Sequence, residues 1–295
     1  MRQTIFLSLI TLLLVSCHPG KSKKENQDNK PVIAVTIEPQ RYFTEAIAGD
    51  NFNVISLVPK GTSPETYDPT PQQLVSLGDS KAYFRIGHIG FEQVWMDRLM
   101  ENTPHIQVFD TSKDIDLIYG EEQNHGDHQH AGGVEPHIWN STTNAMIIAR
   151  NTYKALCQLD KENEAVYLAR YDSLCQRIMH TDSLIRQKLA TPGTAEAFMI
   201  YHPALSYFAR DYGLHQISIE EGGKEPSPAH LKRLIDFARK EGVRVIFVQP
   251  EFDRRNAEII ARETGTQIVP INPLSYDWEV EMLKIAENLT PNNAR

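Results

Sequence analysis

Cysteine and positive charge are both scarce in this sequence. Only three of its 295 residues are cysteines. Cys157 and Cys175 lie in helical sequence, about 27 Å apart if one helix joins them, whereas a disulfide needs Cα atoms within about 7 Å. We therefore predict two small buried thiols, unless the helix turns back on itself. The formal net charge of −8 argues against a nucleic-acid partner.

Long apolar runs are missing too. The run from Ile5 to Val15 is too short to span a bilayer comfortably. With Arg2 before it and a polar tract after it, the run is typical of a secretory signal peptide; a buried N-terminal helix is the alternative. Leu-Val-Ser-Cys, ending at Cys17, resembles a bacterial lipoprotein cleavage box. We predict a signal peptide over 1–17 and a lipid on Cys17.

The polar stretch that follows Cys17 predicts a flexible tether over 18–31. With the lipid on Cys17 inserted in the bilayer, the protein would be lipid-anchored and extracytoplasmic. We expect it in the cell envelope, in the periplasm or at the cell surface.

Short β-branched runs alternate with helical patterns in two regions of the chain. The alternation predicts strands such as 52–58 and 197–201, each followed by a helix. This order calls for parallel sheets with helices on both faces. The predicted fold class is α/β, with two Rossmann-like lobes over 32–141 and 191–295.

Glycine, proline and strand signals are almost absent from 142–190. Apolar residues at helical spacing predict a helix there. The polar stretch 160–164 looks like an interruption, after which a second helix would run over about 162–190. We predict that this long helical spine links the two lobes. The segment 121–135, "EEQNHGDHQHAGGVE", has little apolar content and predicts an exposed His-rich loop in the first lobe.

Polar side chains follow several predicted strands in both lobes. Ligands of open α/β sheets bind beyond the carboxyl ends of the strands, so these side chains favour a site in the cleft between the lobes. Imidazole and carboxylate together are a plausible ligand set for a divalent metal ion. The candidates are Glu65, His137, His202, Gln249, Glu251 and Asp277.

Each candidate also has a purely structural interpretation. A histidine at a strand end is more often a hydrogen-bonding residue of the fold than a ligand. Glu65 could be a solvated loop charge, and Asp277 could be the N-cap of the helix that follows it.

A resemblance extends this interpretation. The segments "SLVPKGTSPETYDPTPQQL", "EPHIW", "MIYHPALSYFARDYGL" and "VIFVQPEFDRRNAEIIARETG" together resemble the solute-binding proteins of zinc and manganese ABC importers. Order and spacing agree from about Val32 to Leu289. The resemblance implies two α/β lobes bridged by a fairly rigid helix, with one metal ion bound between them.

By position, the resemblance implies a ligand set for that ion. His137 and His202 match the second and third ligands of the family, and Asp277 matches the fourth, without the usual Gly-Asp-Ser context. Glu65 falls at the first position, where the family usually has histidine. Gln249 and Glu251 would support the ligands; Glu251 is also an alternative to Asp277 as the fourth. The loop histidines resemble the metal-collecting loop of zinc-type members: His125, His128 and His130.

The resemblance implies a binding protein, not an enzyme. It would act as a monomer that captures Zn²⁺ as the transported ligand and delivers it to the membrane permease of an ABC importer. Mn²⁺ or Fe²⁺ is the alternative cargo, because oxygen ligands favour harder ions. A surface-anchored metallohydrolase is a second alternative, although the chain shows no HExxH pair. Binding of a metal chelate is a third.

Overall fold

Two four-stranded parallel sheets organise the chain. The computed structural model describes residues 30–120 and 133–291, together with the backbone of 123–125 and 128–130. The first sheet has the strand order β2-β1-β3-β4, and its central strands β1 and β3 are almost fully buried. Its strands are β1 (Val32–Val35), β2 (Asn53–Ser56), β3 (Ala82–Arg85) and β4 (Gln107–Asp110). Its helices are α1 (Glu38–Ala48), α2 (Pro71–Gly78) and α3 (Gly90–Asn102).

The second sheet repeats the arrangement of the first. Its order is β10-β9-β7-β8, so in both sheets the first strand is flanked by the second on one side and the third on the other. The predicted α/β architecture with two Rossmann-like lobes is therefore confirmed. The strands are β7 (Ala197–Ile200), β8 (His215–Ser218), β9 (Val245–Val248) and β10 (Gln267–Pro270). The helices are α6 (Ser206–Tyr212), α7 (Pro228–Glu241), α8 (Arg255–Thr264) and α9 (Trp278–Leu289).

A helical pair lies between the two lobes in the chain. The helices α4 (Thr142–Leu159) and α5 (Glu164–Leu189) are joined by a 3₁₀ turn over Lys161–Asn163 and pack against each other. Asp160 causes the interruption, because its carboxylate accepts hydrogen bonds from Asn163 and Tyr167. The second helix starts at Glu164, slightly later than predicted. It packs against both α1 and α9, so one helix spans the two lobes.

Cys157 and Cys175 lie on these two helices. Although the helices do turn back on each other, both thiols are free; Cys175 is buried and Cys157 is half-buried. Within the described part of the chain, no helix is long and apolar enough to cross a membrane.

The segment predicted as an exposed loop contains two short strands. The strands β5 (Gln123–His125) and β6 (His128–His130) pair antiparallel, with His125 opposite His128. An antiparallel bridge between Tyr119 and Val134 continues the pairing toward the first lobe. Two short paired strands thus lie within the segment for which the sequence predicts an exposed loop.

In both sheets the strand order reverses beside the first strand, which is where open α/β sheets bind ligands. Trp139, just before α4, donates its indole N–H to the carbonyl of Pro273, between β10 and α9, at 2.7 Å. Trp278 donates its indole N–H to the carbonyl of Trp139 at 2.8 Å. All four groups are buried, so the two segments are held in fixed relation.

Candidate metal centre

A small cavity lies between the two lobes. The first lobe contributes the loop between β2 and α2, and the second contributes segments that follow β7, β9 and β10. The cavity measures about 20 Å³, enough for one ion or one water molecule. The lining residues include Glu65, His137, His202, Gln249, Glu251 and Pro273.

Two imidazoles face each other in this cavity. His137 lies in the segment before α4, and His202 lies just after β7. Their Nε2 atoms are 3.3 Å apart. Two nitrogens that each lie about 2.05 Å from a tetrahedral ion would be about 3.3 Å apart, so the pair already has the spacing of two zinc ligands.

A carboxylate holds the other nitrogen of each ring. The Nδ1 of His137 lies 2.5 Å from Oε1 of Glu135, and the Nδ1 of His202 lies 2.9 Å from Oε1 of Glu220. When each imidazole is neutral, its Nδ1–H donates to the carboxylate and its Nε2 carries the lone pair. This carboxylate–histidine arrangement fixes the tautomer and raises the basicity of a metal ligand. Two facing lone pairs repel, so a cation between them is favoured.

Glu135 and Glu220 were not identified from the sequence. Glu135 lies inside the quoted motif "EPHIW", two residues before His137, so its position was a usable signal. Glu220 follows β8, and only the sheet order brings it next to His202. Burial alone would raise the pKa of Glu135, but its hydrogen bonds with His137 and Ser206 bring the pKa below the ordinary value. The carboxylate that holds His137 is therefore ionised.

Gln249 and Phe252 fix His202 from the second lobe. The amide of Gln249 donates to the His202 carbonyl at 2.6 Å and accepts from the His202 N–H at 3.3 Å. The ring of Phe252 stacks on the imidazole, with centroids 5.1 Å apart. The orientation of His202 is thus set from both its backbone and its ring.

Glu65 reaches the cavity from the loop between β2 and α2. Its Oε2 accepts a hydrogen bond from the Gly90 N–H at the start of α3, at 3.1 Å. Its Oε1 is buried and has no hydrogen-bond partner. An unpaired buried carboxylate oxygen is costly, so its presence on a residue that lines the same cavity as His137 and His202 fits a bound cation.

Glu251 presents a second oxygen of the same kind. Its Oε1 is buried without a hydrogen-bond partner, and burial raises the pKa of Glu251 above the ordinary value. A cation that replaces the missing partner would favour the ionised form.

One of the predicted ligands lies away from the cavity. Asp277 is exposed, next to the start of α9, and it does not line the cavity. The structure therefore brings Glu65, His137, His202 and Glu251 together, but not Asp277. The side chains of His125, His128 and His130 lie outside the described residues.

The carboxylates and the two imidazoles do not form a complete metal site in this structure. In the part of the chain that the structure describes, no three His, Cys, Asp or Glu side chains are grouped tightly enough to hold an ion. Coordination therefore requires the carboxylates and the histidine pair to come closer together than they lie in this structure. The donor set fits a divalent ion, since two carboxylates offset its charge in a buried site.

The chain is similar to known metal-binding proteins. The family model described as "ZnuA: Zinc-uptake complex component A periplasmic" matches residues 33–286. The zinc-binding lipoprotein AdcA of Streptococcus pneumoniae R6 is 27% identical over 300 residues, covering 96% of this chain. The chain spans 57% of the length of AdcA. The manganese ABC transporter substrate-binding lipoprotein PsaA of Streptococcus anginosus is 28% identical, covering 90% of this chain and 85% of PsaA.

A solved structure gives the same result for the fold. A zinc-bound deletion mutant of ZnuA superposes with a TM-score of 0.82 at 34% sequence identity. The match covers 90% of this chain and 99% of that one.

Proposed function

This chain belongs to the ZnuA family of zinc-uptake components, and on that premise we propose that it captures Zn²⁺ between its lobes and delivers the ion to an ABC permease. The observation that carries the proposal is the histidine pair. Two Nε2 lone pairs at the spacing of zinc ligands, each fixed by a carboxylate on Nδ1, are suited to a cation.

The proposed ligands are Oε1 of Glu65, Nε2 of His137, Nε2 of His202 and Oε1 of Glu251. Glu251 takes the fourth position, for which the sequence had favoured Asp277. All four side chains line one cavity, and the two carboxylate oxygens are buried without hydrogen-bond partners. Four ligands of this kind give the tetrahedral coordination that Zn²⁺ prefers.

Zinc is preferred over manganese as the cargo for two reasons. The cavity is small, and its donors include two imidazoles. Mn²⁺ favours six oxygen-rich ligands, whereas the affinity of mixed nitrogen and oxygen sites rises from Mn²⁺ to Zn²⁺. Because PsaA is named as a manganese-binding relative, both ions must be compared directly.

The decisive experiment removes the imidazoles one at a time. We expect His137→Ala and His202→Ala each to weaken Zn²⁺ binding by more than about 100-fold, since a direct ligand should matter more than its hydrogen-bond partner. Isothermal titration with a competing chelator measures the affinity and the stoichiometry, which should be one ion per chain. His180→Ala, at an exposed position on α5, is the matched control and should bind like the wild type. Wild-type affinity in either cavity variant would exclude the proposed site.

The same preparations separate a binding protein from a metallohydrolase. A hydrolase needs an open coordination position and a general base close to metal-bound water. We expect tight binding of one ion without turnover of ester, peptide or phosphate substrates. Zinc-dependent turnover that disappears in His202→Ala would favour the hydrolase.

We further propose that the protein is a monomer held at the cell envelope by a lipid on Cys17. The signal peptide (1–17) and most of the tether (18–31) lie outside the described residues. The lipoprotein names of AdcA and PsaA support the anchor. A mature protein whose mass shows no lipid on Cys17 would contradict it. We also propose that the two lobes cover residues 32–141 and 191–295, and that residues 142–190 link them.

A further inference from the structure

The first turn of α3 lies directly against the loop that carries Glu65. The Gly90 N–H donates to Oε2 of Glu65 at 3.1 Å, and the Phe91 N–H donates to the Pro64 carbonyl at 2.8 Å. Two of the N–H groups that the start of a helix leaves without intrahelical partners are thus satisfied by the loop. The positive end of the helix dipole also favours the Glu65 carboxylate.

Gly90 is required at this contact for space, not for backbone conformation. Its φ is not in the left-handed region, so another residue could adopt its backbone angles. A Cβ at this position, however, would lie 2.7 Å from the Glu65 carbonyl oxygen, 2.8 Å from its Oε2 and 2.9 Å from its Cα. Because two of these atoms belong to the backbone, the loop would have to shift.

A buried carboxylate holds the segment that leads into Gly90. Glu92 accepts hydrogen bonds from the N–H groups of Ile86 at 2.8 Å and Gly87 at 2.7 Å. It also accepts a hydrogen bond from the hydroxyl of Thr36, the residue that follows β1. The turn between β3 and α3 is therefore anchored in the core. A larger residue at position 90 would thus displace the loop that carries Glu65.

These contacts leave Glu65 with one oxygen for an ion. Oε2 is held by Gly90, whereas Oε1 is buried without a hydrogen-bond partner, and Glu65 is one of the residues that line the cavity. We propose that Gly90 is a positioning residue that restricts Glu65 to a single coordinating oxygen and thereby favours Zn²⁺ over Mn²⁺. This inference rests on the proposed function.

The restriction affects the two ions differently. One oxygen each from Glu65 and Glu251, with two imidazoles, gives the four ligands of tetrahedral zinc. A carboxylate released from Gly90 could offer both oxygens, which adds an oxygen ligand and moves the site toward the higher coordination that Mn²⁺ prefers.

The test is Gly90→Ala, with Zn²⁺ and Mn²⁺ affinities measured by chelator competition. Loss of the partner that orients a metal ligand typically weakens binding about 10- to 100-fold. We expect the Zn²⁺ affinity to fall by this factor and the Mn²⁺ affinity to fall less. The ratio of Zn²⁺ affinity to Mn²⁺ affinity should therefore decrease about tenfold. Gly78→Ala is the matched control, because a Cβ there meets only Thr103 Cγ2 at 3.9 Å. An unchanged ratio in Gly90→Ala would overturn the inference.

A double-mutant cycle separates this inference from the proposed site. Glu65→Ala should itself weaken Zn²⁺ binding, and Gly90→Ala should cause little further loss in that background. If Glu65→Ala binds zinc normally, Glu65 is not a ligand and the proposed ligand set fails. If Glu65→Ala weakens binding but the two losses multiply, only the role of Gly90 fails.

A crystal structure of the zinc-loaded wild type keeps the inference testable should Gly90→Ala not fold. We expect Oε1 of Glu65 on the ion and Oε2 still bonded to the Gly90 N–H. Both oxygens within about 2.5 Å of the ion would refute a single-oxygen ligand.

Discussion

His137 and His202 show how a single residue acquires its role from its neighbours. Each imidazole has a carboxylate on Nδ1, which directs Nε2 toward the cavity. The sequence identified both histidines, but it could not show the carboxylate partner of His202. Glu220 is followed by Glu221, which is exposed and forms an ion pair with Arg233. Two adjacent glutamates thus have different surroundings, and only one of them contacts a proposed ligand.

We predict that Glu220→Gln weakens Zn²⁺ binding about tenfold, the lower end of the effect of such partners, because an amide accepts the Nδ1–H but raises ring basicity less than a carboxylate. Glu221→Gln should leave the affinity unchanged. Both are measured by chelator competition at neutral pH. Equal affinities in the two variants would show that the Glu220 carboxylate does not support His202.

The helix α5 is the element that connects the lobes. Toward its start, Arg170 donates to the Ala48 carbonyl at the end of α1, at 2.7 Å. At its end, Lys188 forms an ion pair with Glu287 of α9 at 2.8 Å. The scarcity of glycine and proline predicted this helix, whereas its partners are set by packing. Between these contacts, Asp182 accepts hydrogen bonds from Thr142, Tyr212 and Arg186, each at 2.8 Å.

We predict that Asp182→Asn lowers the free energy of unfolding by about 1 kcal/mol at pH 7, since the side chain is partly exposed. Burial raises the pKa of Asp182, but the bonds from Arg186, Tyr212 and Thr142 outweigh this and bring it below the ordinary value. Its contribution is therefore present above the unfolded pKa of about 3.9 and is lost as the pH falls through the lower folded value.

Urea denaturation at pH 7 and near pH 3 checks this prediction. The difference between Asp182→Asn and the wild type should shrink at the lower pH. Asp172→Asn, at an exposed position on the same helix, should show no comparable change. A difference that is the same at both pH values would rule out the ionised carboxylate as its cause.

The whole molecule depends on contacts that close the space between the lobes. The indoles of Trp139 and Trp278 join the segment after His137 to the segment after β10, and Pro273 in that second segment lines the cavity. Trp278 also packs on Phe43 of α1, with centroids 5.2 Å apart. The described residues after Lys30 accordingly form one compact unit that contains both sheets.

We predict that Trp278→Phe lowers the free energy of unfolding by about 1–3 kcal/mol, because the buried Trp139 carbonyl loses its hydrogen-bond donor. Trp95→Phe is the control, since the Trp95 indole bonds Asp68 at an exposed position, and a change within about 0.5 kcal/mol is expected. Chemical denaturation measures both. A loss for Trp278→Phe no larger than that for Trp95→Phe would show that the buried hydrogen bond does not contribute the predicted stability.

Sequence patterns alone predicted the α/β lobes, the helices between them and five of the residues that line the cavity. Hydrophobic periodicity is a local property, and polar residues after strands point to the edge where ligands bind. Only the tertiary structure selected Glu251 over Asp277 at the cavity and placed Glu135 and Glu220 on the imidazoles. It also showed that Gly90 leaves Glu65 one free oxygen. Except for Glu135, which lies two residues before His137, these relations join residues far apart in the chain, and sequence spacing does not show which of them meet.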